Sequence, residues 1–115
     1  MTNNKKHTRS EVIQEFLSDF TDLTAKIKNN TASPQDYNKL QELIKILGLG
    51  EENVIKPLQD NGFNDWASYY NERRNENIHN RVRIGSVLGA VVGTSMAVID
   101  FLNKMLEVEK KDTKA

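Results

Sequence analysis

A chain of 115 residues holds one ordinary domain, or a small domain plus one appended element. Its 16 Lys and Arg balance 16 Asp and Glu, so the formal net charge is zero and the basic excess of a nucleic-acid-binding protein is absent. Hydrophobic residues make up 37%, and the lack of cysteine excludes disulfides, thiolate chemistry and cysteine-based zinc sites.

Residues 1–9 read as a disordered tail, and "MTNNKKHTRSEV" has no apolar run that would make it a secretory signal. Ser10 is the expected cap of a first helix, with Glu11 in its first turn. Val12, Ile13, Phe16, Leu17, Phe20, Leu23 and Ile27 then recur every three or four residues, which predicts an amphipathic helix to about Lys28. "NNTASPQD" ends it. Ser33 caps a second helix, with Pro34 at its first position and Asp36 three residues past the cap. Tyr37, Leu40, Leu43, Ile44 and Leu47 are its stripe, and Gly48 and Gly50 end it. "EENVIKPLQDNG" predicts a short third helix with Val54, Ile55 and Leu58 inward. Pro57 limits its regularity unless the helix starts near Lys56. Gly62 closes that helix, and Asn64 or Asp65 caps a fourth that begins at Trp66. Residues 73–83 form a polar basic connector, expected to be helical. The apolar pattern resumes at Val82 and stays helical to about Glu109, within a charged tail at 103–115.

Nothing alternates as a strand would. The expected fold class is all-α: a small N-terminal helical bundle of three to four helices over residues 10–72, followed by a long C-terminal glycine-rich apolar helix at 84–102. Phe16, Phe20, Leu40, Leu43, Ile44, Leu47, Leu58 and Trp66 are its expected core. Tyr69 and Tyr70 are assigned to the packing of the same body.

The last helix carries the most distinctive pattern, "RIGSVLGAVVGTSMAVIDFL". Residues four apart stack on one helical face, so Gly85, Gly89, Gly93 and Ala97 form a shallow groove, widened by Ser86, Ala90 and Thr94. Each glycine costs about 1 kcal/mol relative to alanine inside a helix. Such grooves let two helices approach closely in a bilayer. Gly85, Gly89, Gly93 and Ala97 are therefore the candidate helix–helix contact residues. The uncharged run from Ile84 to Ile99 spans about 24 Å, short of the roughly 30 Å of a hydrocarbon core, and extending it to Leu102 takes in Asp100. Length alone thus allows both a membrane span and the buried helix of a soluble bundle. The position of the run near the end of the sequence matches a tail-anchored layout, with the N-terminal body in the cytoplasm. Arg73, Arg74, Arg81 and Arg83 before the run and Lys104 after it are the candidate membrane-boundary or headgroup residues. The plain alternative makes them a solvated helix face.

His7 and His79 are isolated, so no metal site is expected. Nothing in the sequence suggests a catalytic constellation or a cofactor-binding motif. The expectation is a small non-enzymatic membrane-associated protein that self-associates through its GxxxGxxxG groove. It would act as a scaffold, anchor, regulator or holin-like pore accessory. Its expected partners are further copies of itself or another helical protein, and no nucleic acid. The alternative is a soluble cytoplasmic interaction module whose last helix packs in a bundle or on a partner helix.

The stretch "LGLGEENVIKPLQDNGFNDW", residues 47–66, resembles the early part of a sterile alpha motif domain, in which a leucine-glycine turn precedes a helix and an "ENGF"-type turn. The family's later pattern is replaced here by "NERRNENIHNR" and the glycine row. This resemblance implies a protein-interaction module.

Overall fold

The computed structural model describes residues 8–75 and 81–114, with side chains through Glu109. His7, His79 and most of the N-terminal tail lie outside the described residues. Five helices are described: α1 (Arg9–Lys28), α2 (Pro34–Leu47), α3 (Glu52–Asp60), α4 (Trp66–Asn75) and α5 (Arg81–Lys114). The all-α class is correct, and the described residues contain no strand.

The helix ends follow local chemistry. Thr8, not Ser10, caps α1. Its Oγ1 accepts from the Glu11 N–H at 3.1 Å, and its own N–H donates to Glu11 Oε1 at 2.8 Å. Ser10 cannot close such a reciprocal pair, because the residue three further on is Ile13. Ser33 caps α2 as expected. The Asp36 N–H donates to its Oγ at 3.2 Å, the Ser33 N–H donates to Asp36 Oδ2 at 2.9 Å, and Gly48 ends the helix at φ +68°. Helix α3 starts at Glu52 rather than near Lys56, so Pro57 lies inside it. The proline supplies no N–H for the ladder, yet burial of Val54 and Leu58 one turn apart holds the segment helical. At the start of α4 the Ser68 N–H donates to Asp65 Oδ1 at 2.8 Å, which holds that carboxyl below its usual pKa.

Helix α5 has 34 residues, about 51 Å at 1.5 Å per residue, and sets the long axis of a 56 × 28 × 22 Å molecule. It packs lengthwise on α1 and also touches α3 and α4. An ion pair between Arg9 at the start of α1 and Glu109 far along α5 shows that the two helices run antiparallel. The inward residues of α5 are Val87, Val91, Ser95, Val98, Leu102 and Leu106, all buried. Their steps of four and three trace a single stripe. Buried with them are Ile13, Phe20, Leu23 and Ile27 of α1 and Val54 and Leu58 of α3, so α5 shares one continuous core with the preceding helices.

Of the expected core, Phe20, Leu40, Ile44, Leu58 and Trp66 are buried, while Phe16, Leu43 and Leu47 are half-buried at its rim. An aromatic cluster joins the helices. Tyr37 stacks on Trp66 at 5.2 Å, and Tyr69 meets Tyr37, Phe63 and Trp66 edge-on. The Trp66 indole N–H donates to Gln41 Oε1 at 2.7 Å.

One polar atom sits badly in this core. Ser95 Oγ is buried in the middle of α5 without a hydrogen-bond partner among the described residues. A buried hydroxyl without a partner costs about 1–3 kcal/mol, and alanine is the better helix former. Ser95→Ala is therefore expected to stabilise the protein by about 1 kcal/mol in urea denaturation. Destabilisation would show that the hydroxyl is satisfied in solution.

Candidate functional site

The buried stripe of α5 leaves its glycine row on the outward side. Gly85, Gly89, Gly93 and Ala97 are all exposed, as are Ser86 and Met96. A β-carbon added at Gly85, Gly89 or Gly93 would have no neighbouring atom within 4 Å. Among the described residues, no helix fills the glycine groove and no internal contact accounts for three glycines there.

The outward surface from Val82 to Ala97 bears no charged group, since the Arg83 guanidinium turns to the body. It becomes polar at Asp100 and Lys104, which pair at 3.2 Å. Near the end of the glycine row, Gly93 and Ala97 join Leu49, Asn53 and Phe101 in an open groove of about 330 Å³. Phe101, 44% exposed, separates it from a second apolar groove lined by Arg9, Met105 and Val108.

The five cationic candidates do not form one belt. The Arg73 Nη1 donates to the Ile27 carbonyl at 3.0 Å and to the Tyr37 hydroxyl at 2.9 Å, tying α4 to α1 and α2. Arg83 Nε donates to the Asn61 carbonyl at 2.8 Å, and its guanidinium lies 5.0 Å from the centre of the Phe63 ring. These two arginines are engaged with the body. Arg74 is exposed and donates to the Tyr70 hydroxyl at 2.7 Å, while Arg81 is exposed at the start of α5. Lys104 lies at the far end of the helix. Sequence shows only a basic flank. The long apolar stems that let Arg73 and Arg83 reach inward have no signature of their own.

A second cleft, polar and about 390 Å³, lies between the α1–α2 turn (Asn30, Thr31, Ala32) and Tyr70 and Arg74 of α4. Among the described residues no cluster of His, Asp or Glu could hold a metal ion. The stretch Arg81–Glu109 is the one described helix long and apolar enough to cross a membrane. The mean hydropathy of its most apolar window is 1.7, and 22% of that window is buried.

The chain matches no family model, no curated protein and no solved structure. The likeness of residues 47–66 to a sterile alpha motif domain rests on that segment alone.

Proposed function

We propose that this is a small non-enzymatic, membrane-associated helical protein that works by association, with α5 as the element that meets both lipid and a second helix. One observation carries the reading: α5 is apolar enough to span a bilayer, yet only 22% of its most apolar window is fully buried. A core helix of a soluble protein would be mostly covered. The uncovered side bears the glycine row, whose cost of about 1 kcal/mol per residue brings no packing return within one chain. The body would stay on the cytoplasmic side, and a second copy of α5 would seat against Gly85, Gly89 and Gly93.

A second reading keeps α5 on the body and lets the glycine face take a helix in water. The buried stripe from Val87 to Leu106 favours it, because a seam so regular is that of a settled soluble fold.

Flotation of the purified chain with phospholipid vesicles, in parallel with crosslinking in buffer, separates the two. Flotation supports the first reading, and crosslinked dimers without flotation support the second. Gly89→Leu is expected to abolish crosslinking in whichever medium it occurs. The same substitution raises thermal stability by about 0.5–1 kcal/mol, since the added side chain meets open space and favours the helix. Asn38→Leu, at an exposed position of α2, is the control for added apolar bulk. Crosslinking that survives Gly89→Leu would remove the glycine face from the account.

A further inference from the structure

We infer that Arg83 is a polar clasp that helps hold α5 on the body, and that its loss shifts α5 toward a lipid surface. This rests on the membrane association proposed above.

The folded form and a spanning form exclude each other. Helix α1 lies along α5 and exposes Glu15, Asp22 and Lys28 on its outer side. Carrying these charges into hydrocarbon is costly, so α5 must part from α1 before it can span.

Three features converge on the Arg83 guanidinium. The Asn61 carbonyl, which accepts from Nε at 2.8 Å, belongs to the residue that ends α3, where the helix dipole favours a cation. The Phe63 ring presents its face at 5.0 Å. Between them Gly62 adopts φ +86°, and a β-carbon there would stand 3.1 Å from Nη2. The α3–α4 turn thus forms a receptor shaped for this side chain. Two other polar attachments of α5 are weaker. The Tyr69 hydroxyl reaches the Ile84 carbonyl only at 3.5 Å. In the Arg9–Glu109 pair the Arg9 side chain is 74% exposed, where such pairs contribute little. Between these ends the packed stripe of α5 is apolar apart from Ser95.

The test uses the full chain and vesicles of phosphatidylcholine and phosphatidylserine. Arg83→Met keeps the apolar stem and removes the guanidinium. It is expected to raise the ratio of vesicle-bound to free protein about tenfold, the shift that loss of one charge-assisted hydrogen bond produces. Trp66→Phe loosens the body elsewhere by removing the bond to Gln41, and is expected to leave the ratio near that of the wild type. An equal rise in both variants would overturn the clasp, because any loosening would then suffice. So would a wild type that floats fully with no gain in Arg83→Met, although the membrane reading would stand. If neither protein floats, both ideas fall.

Discussion

A chain stopped after Asn80 is expected to lose its cooperative unfolding transition. Helix α5 supplies Val87, Val91, Val98, Leu102 and Leu106 to the core, and its removal bares Ile13, Phe20, Leu23 and Ile27 along α1 and Val54 and Leu58 on α3. Five buried aliphatic side chains at about 1.5–3 kcal/mol each sum to roughly the entire stability of a domain this size. The fragment retains the α2 cap and the aromatic cluster, so partial helicity remains. Circular dichroism against urea should show a shallow decline in place of a sigmoid. A sharp transition at a urea midpoint near that of the full chain would show that residues 10–72 stand alone as a bundle and that α5 is an attachment.

The largest loss from one side chain is expected at Tyr69. It is fully buried and meets Tyr37, Phe63 and Trp66 at centroid distances of 5.5, 5.4 and 5.8 Å. Truncating a buried aromatic to alanine costs about 3–5 kcal/mol, so Tyr69→Ala should leave little folded protein at 37 °C. Tyr69→Phe keeps the ring and removes only the hydroxyl, with its long bond to Ile84 and its interactions with Arg73 and Tyr37, so it should cost far less, about 1 kcal/mol. Burial pushes the pKa of both Tyr69 and Tyr37 above the usual 10.0, against the lowering pull of the Arg73 guanidinium. A raised folded-state value means that this contribution to stability is complete below pH 10 and is lost as pH rises beyond it. The phenylalanine variant, which stays folded without the hydroxyl, should lack the Tyr69 share of that alkaline decline. Equal stability of Tyr69→Ala and wild type would disprove the role of the cluster.

The legible parts of the fold are those fixed by neighbours in sequence. Ser33, Pro34 and Asp36 announce α2, and the stripe of α1 names Ile13, Phe20, Leu23 and Ile27 before any partner is known. The start of α1 was also written in the sequence, but in the pairing of Thr8 with Glu11 rather than in Ser10 alone. Pro57 misleads because its local penalty is outweighed by the burial of Val54 and Leu58, a tertiary effect. The inward face of α5 is the hardest to read. A helix that is apolar nearly all round has no periodic contrast, and only its contact with α1 decides that Val87, Val91 and Val98 turn in and the glycines out. The glycine row was visible as a groove, whereas its lack of an internal occupant was not. The arginines were visible as charges. Their opposite fates, Arg83 on a carbonyl and a ring and Arg81 in solvent, depend on a turn some 20 residues earlier in the chain.

The pairing of the first helix with the last also sets an order of events during synthesis. The stripe of α1 is complete once Ile27 has been made, but its cover is complete only when Leu106 follows. At about 5–20 residues per second that interval lasts roughly 4–16 s on the ribosome. Until then Phe20 and its neighbours lack the full cover of α5, so apolar surface of α1 stays open to water. The packing of α1 on α5 brings together residues up to 100 positions apart, and contacts so distant in sequence form slowly.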